Sequence, residues 1–99
     1  MKLTDQNIKL IQELCIKHKV ARLFVFGSVL TEKFNNDSDI DFLVDFKKID
    51  LSDYADNYFN LKSSLEDLFD RNVDLLELKA LKNPYLIKSI DNTKQLIYG

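Results

Sequence analysis

Three aspartates stand where aspartate is costly. Asp39 and Asp41 open a run of large apolar residues that continues through Phe46, and Asp74 is embedded in Val73-Asp74-Leu75-Leu76. Strands disfavour aspartate, and a buried carboxylate is expensive unless it is paired or binds a cation. Residues two apart on a strand point the same way, so Asp39 and Asp41 share a face. Held that close, two carboxylates raise each other's pKa unless a positive charge sits between them. A site built of oxygen donors suits a hard ion, Mg²⁺ or Mn²⁺, and not zinc. Asp74 can join such a site if its strand lies beside the one carrying Asp41.

Taken alone, an Asp-x-Asp pair is equally the end of a turn followed by an edge-strand acid facing water. A calcium loop is a third reading, because Asp37, Asp39 and Asp41 have its early spacing. It fails further on: Phe42 stands where that loop requires glycine, and Lys48 where it requires the closing glutamate. Independent evidence comes from Gly27-Ser28. A strand that ends in Gly-Ser and turns into a helix presents backbone N–H groups and a hydroxyl at a helix N-terminus, an arrangement that binds phosphate. A lone Gly-Ser is more often a plain strand-to-helix turn, so the case rests on the combination with the acids.

The elements that must position these residues are legible from periodicity. Thr4 is a candidate N-cap for a helix with Ile8, Ile11, Leu14 and Cys15 on one face, ending near His18. Arg22 to Phe26 is a nearly continuous apolar run, the pattern of a strand buried on both faces. Ser28 to Phe34 predicts a short helix, and Asn35 to Ser38 a turn. Asp39 to Phe46 alternates as a second strand, with Ile40, Phe42 and Val44 on one face and Asp39, Asp41 and Leu43 on the other. Asp45 continues the acid-bearing face, as a solvated strand end or a further site residue.

Leu51 to Phe69 repeats Tyr54, Tyr58, Leu61, Leu65 and Leu68 at helical spacing, with Ser52 and Asp53 as caps. Tyr54, Tyr58 and Phe59 are then core residues before they are a partner surface. Asn72 to Leu78 predicts a third strand, and Pro84 opens a helix through about Ile90. Gln95 to Tyr98 either extends that helix or adds a short edge element. The fold class is therefore α/β, a small mixed sheet of three to four strands with helices packed on it, in a single domain over residues 1–99.

Phe26-Gly27-Ser28, ten further residues, then Asp39-Ile40-Asp41-Phe42-Leu43-Val44 resembles the Gly-Ser-x(10)-Asp-x-Asp signature of the DNA polymerase β-like nucleotidyltransferase superfamily. Asn72 to Leu76 is similar to the strand carrying that superfamily's third acid. Ala80 to Pro84, Ile87, Ile90 and Ile97-Tyr98 are similar to the tail of its stand-alone minimal nucleotidyltransferases. The resemblance implies that Gly27 and Ser28 grip the triphosphate of ATP. It implies further that Asp39, Asp41 and Asp74 hold Mg²⁺ (two ions, with Mn²⁺ as a substitute) and carry catalysis. Minimal nucleotidyltransferases of this kind pair with small helical HEPN-type proteins as antitoxin and toxin, and transfer AMP to a tyrosine of the toxin. A binding antitoxin without catalysis, or one subunit of an enzyme that nucleotidylates a small molecule such as an antibiotic, are the alternatives. One departure stands out. Thr31 and Glu32 occupy places where the family often has arginine and glycine, and the nearby Lys33 is a flexible point charge rather than a planar fork.

Composition narrows the partners. With 14 basic and 16 acidic side chains the net charge is -2, not the basic excess of a duplex-binding protein. Cys15 is the only cysteine and His18 the only histidine, so neither an internal disulfide nor a Cys/His zinc site can form. Cys15 is expected to pack as a small hydrophobe and His18 to lie at a solvated helix end. Without a signal peptide or an apolar run near membrane-spanning length, a cytoplasmic location is expected.

Overall fold

Two central strands buried on both faces organise the molecule. The computed structural model describes residues 4–27 and 38–99. Within them four strands form one mixed sheet: β1 (Val20–Phe26), β2 (Ile40–Phe46), β3 (Val73–Glu77) and β4 (Gln95–Tyr98), in the order β3-β2-β1-β4. β1 is antiparallel to both of its neighbours, whereas β2 and β3 are parallel. A parallel pair requires a crossover, and helix α2 (Leu51–Phe69) supplies it. The closing segment, left open between helix and edge by its sequence, is the edge strand β4.

Both faces of the sheet are covered. Leu23, Val25, Ile40, Phe42, Val44, Phe46, Val73 and Leu75 point to one side, where they meet Ile11 and Cys15 of helix α1 (Asp5–Lys17) and Leu61 and Leu65 of α2. Phe24, Phe26 and Leu43 point to the other and pack on Ile90 of helix α3 (Pro84–Thr93), with Leu76, Leu78 and Leu81 at the margin. β1 is thus buried on both faces from Leu23 to Phe26, as its nearly continuous apolar run predicts.

Local signals account for the helix ends. Thr4 Oγ1 accepts a hydrogen bond from the Asn7 amide at 3.1 Å, and Lys19 turns the chain in the left-handed region at φ 59°. Asp50 is the N-cap of α2, one turn-start earlier than Ser52 or Asp53, and its side chain makes no capping bond. Asn83 accepts from the Tyr85 and Leu86 amides at 2.9 and 3.3 Å, and Pro84 pre-sets the first turn of α3.

Leu61 is completely buried between α2 and the sheet. Leu61→Ala is expected to cost about 2–5 kcal/mol, a loss that chemical denaturation followed by circular dichroism measures directly.

Candidate active site

β1 delivers Gly27 to the carboxylate of Asp41. Phe26 lies opposite Asp41 in the β1–β2 ladder, and Gly27 follows with φ +79°, a conformation that favours glycine. A Cβ at this position would collide with Asp41 Oδ2 and stand 3.3 Å from its Cγ. The backbone angle thus favours glycine, and any side chain there would push the Asp41 carboxylate aside. The candidate phosphate-binding turn begins beside the candidate acid site. Ser28 lies outside the described residues, as do Thr31, Glu32, Lys33, Asp37 and the helix expected over Ser28 to Phe34.

The parallel β2–β3 register places Asp41 directly beside Asp74. Both point to the face that carries Leu43, and Asp39, two residues before Asp41, lies next to them. Asp41 is half-buried, and its pKa is raised above the ordinary carboxylate value. Burial is the main cause, followed by the negative charge of Asp74 and then that of Asp39. Among the described residues none of the three forms an ion pair. Nor do any three His, Cys, Asp or Glu side chains among them converge tightly enough to enclose a metal ion unaided. The arrangement is an open, electronegative notch at one end of the sheet, bounded by the close approach of Gly27.

Asp45, on the same face of β2, has a different environment from either expectation. It is neither solvated nor part of the notch: its residue is 9% exposed, and Arg22 and Lys79 bracket it at 3.1 and 3.4 Å. His18 is likewise buried rather than solvated, and burial beside Lys17 lowers its pKa against the opposing effect of Asn57. Cys15 packs in the core as expected, its thiol pushed up to about 12 by burial and so inert as a nucleophile.

Of the aromatic residues on α2, Tyr54 and Tyr58 pack against the core and Phe59 is 60% exposed. Periodicity showed Tyr58 only as an apolar position. Its hydroxyl also donates to the Leu75 carbonyl, immediately after Asp74. The available signal was tyrosine, with a polar tip needing a partner, where phenylalanine would pack equally well.

A small mixed sheet with a strand-ending glycine set against paired strand acids is the frame of a minimal nucleotidyltransferase. One solved structure described as a provisional minimal nucleotidyltransferase superposes with a TM-score of 0.75 at 29% identity, covering 91% of this chain and 88% of that one. The sequence model of the polymerase beta nucleotidyltransferase family matches residues 9–99, and the chain belongs to that family. Two provisionally named protein adenylyltransferases of Methanocaldococcus jannaschii are 42% and 35% identical, each over 83% of this chain and 79% of its own length. The antitoxin fold of a MntA–HepT toxin–antitoxin crystal structure is shared as well, with a TM-score of 0.72 at 21% identity over 94% of this chain and 73% of that one. Among the described residues, no helix is long and apolar enough to cross a membrane.

The two strand acids should respond to neutralisation in opposite senses. Asp41 has a folded-state pKa above its unfolded one, so its ionisation opposes folding. That penalty is complete above the folded pKa and absent below the unfolded value. Asp41→Asn should therefore raise the melting temperature of the metal-free protein at neutral pH by a few degrees, with the gain vanishing in acid. Asp45→Asn should instead lower stability by about 1 kcal/mol, because it removes the charge shared by Arg22 and Lys79. Parallel thermal melts across pH distinguish the two.

Proposed function

We propose that the protein is a Mg²⁺-dependent adenylyltransferase that moves AMP from ATP to a hydroxyl of a partner protein, as the antitoxin of a HEPN-type toxin–antitoxin pair. The observation carrying this reading is the meeting of Gly27, Asp41 and Asp74 at one end of the sheet. A phosphate-binding turn and a set of unpaired carboxylates then face the same substrate. The relatives named as protein adenylyltransferases support AMP as the group transferred. Structural neighbours sharing this fold include a toxin–antitoxin complex with AMP-PNP and a tri-AMPylated HEPN toxin with its MNT antitoxin from Shewanella oneidensis.

The donor set suits magnesium. Half-burial raises the pKa of Asp41, and the charges of Asp74 and Asp39 raise it further, so a cation placed among them relieves both repulsions. An incomplete protein cage is what this ion uses, since Mg²⁺ is commonly held by one or two carboxylates together with substrate phosphates and water. Asp39, Asp41 and Asp74 are the residues that hold it in this reading. Bound there, the metal supplies charge neutralisation on the phosphates and alignment for in-line displacement.

The chain's own residues do the rest. The Gly27-Ser28 turn holds the triphosphate, and the absent Cβ at Gly27 lets the backbone approach closely. The acceptor oxygen forms a bond to the α-phosphorus as the bond to pyrophosphate breaks. Asp74, on the strand that edges the notch, takes the proton from the acceptor hydroxyl. In this reading the acceptor hydroxyl is presented by the partner protein.

The decisive experiment incubates the protein with α-labelled ATP, Mg²⁺ and the protein encoded beside it. Label on the partner is expected with the wild type and lost with Asp39→Ala/Asp41→Ala, together with neutralisation of the partner. Neutralisation retained by the double variant, with no label from any nucleoside triphosphate, would overturn catalysis in favour of a binding antitoxin. Label on a small-molecule acceptor alone would move the activity to that class. Saturating Mg²⁺ with an ATP analogue should raise the melting temperature of the wild type and leave the Asp39→Ala/Asp41→Ala variant nearly unchanged, which differential scanning fluorimetry reads.

A further inference from the structure

β3 is an edge strand, and it carries Asp74 in its middle. Asn72 faces β2, since its carbonyl accepts from the Ile40 amide at 3.1 Å. Alternation then turns the backbone groups of Val73, Leu75 and Glu77 outward, where no strand follows among the described residues. An edge strand with one unsupported side is a poor platform for a side chain that must be held still. Here it is also pushed, because Asp74 and Asp41 are neighbours of like charge across the ladder.

Two side chains of α2 occupy the outward groups on either side of that acid. The Tyr58 hydroxyl donates to the Leu75 carbonyl at 2.5 Å, and the Val73 amide donates to Glu66 Oε2 at 3.1 Å. Neither polar group is demanded by packing. A phenylalanine would fill the place of Tyr58 against the core, and Glu66 is not a core residue. The chemistry of each group matches its partner. Burial, then the charges of Asp74 and Glu77, raises the Tyr58 pKa, so the phenol stays a donor. The helix itself is anchored, because Leu61 and Leu65, between the two contacts, are fully buried.

We propose that Tyr58 and Glu66 are positioning residues for Asp74: by clamping the backbone of Val73 and Leu75 to α2, they hold the third acid in register with Asp41. The proposal rests on the reading of Asp74 as a site residue. It adds that part of the site's precision comes from a helix whose side chains do not touch substrate. Small displacements matter in such sites, where about 1 Å can cost about a hundredfold in rate.

The test compares Tyr58→Phe, Glu66→Ala and Glu66→Gln in the full chain. Amide hydrogen exchange over residues 73–76 should quicken by about tenfold in the first two, with residues 23–26 unchanged, because one hydrogen bond is lost locally. Turnover on the partner should fall by about tenfold with KM for ATP within about twofold, since Gly27 is untouched. Glutamine retains an acceptor oxygen, so Glu66→Gln should restore turnover. Wild-type turnover in Tyr58→Phe and Glu66→Ala would overturn the proposal, as would equal acceleration of exchange in residues 23–26. If the wild-type protein transfers no nucleotide, the functional reading fails separately. The clamp is then decided by Mn²⁺ titration in the presence of a non-hydrolysable ATP analogue: affinity weakened about threefold in both variants supports it, and unchanged affinity overturns it.

Discussion

Two carboxylates are placed side by side by a backbone ladder that has no electrostatic reason to favour them. The parallel pairing of β2 with β3 puts Asp41 next to Asp74, in a half-buried notch with no ion pair to either acid among the described residues. Like charges at adjacent positions of a sheet are destabilising. The pairing must therefore be held by the apolar residues around them. Ile40, Phe42, Val44, Val73 and Leu75 alternate with the acids along both strands and are buried in one core. Each acid is flanked on its own strand by residues whose burial fixes its neighbour's direction. The hydrophobic face thus maintains an arrangement that the polar face resists, a distribution of stability common at functional sites.

The rest of the architecture serves the same notch from different sides. β1 ends there, and the glycine that follows it leaves room for the Asp41 carboxylate at its present position. At the opposite end of β2, Asp45 is tied to Arg22 on β1 and Lys79 after β3, an ion-paired cluster joining three segments around the central strand. The same residue type in the same strand thus has two fates. Asp45 has cations and Asp41 has further acids. α2 closes the remaining side by covering the core face and reaching the outer edge of β3 through Tyr58 and Glu66.

Family membership and geometry speak to different levels. The match over residues 9–99 establishes the nucleotidyltransferase family, and the fold agrees with it. The proposal of AMP transfer to a protein draws on relatives named for that activity.

Much of this was readable from residue order alone. The three acids, the Gly27 turn, the two-sided burial of β1 and the helices capped by Thr4 and opened by Pro84 all follow from local rules, because period, capping and backbone angle are properties of neighbouring residues. The placing of Asp39 and Asp41 on one face rests on the same local alternation. What tertiary structure decided was everything that depends on segments far apart in sequence. Whether Asp74 meets Asp41 depends on which strands pair and in what register, and no local pattern encodes that. The fate of Asp45 needed Arg22 and Lys79 brought to it, and His18 was buried by packing that its position at a helix end does not reveal. Gln95 to Tyr98 could continue a helix or pair with β1, and only the open edge of that strand settled it. Local chemistry thus named the residues, and long-range pairing determined which of them face one another.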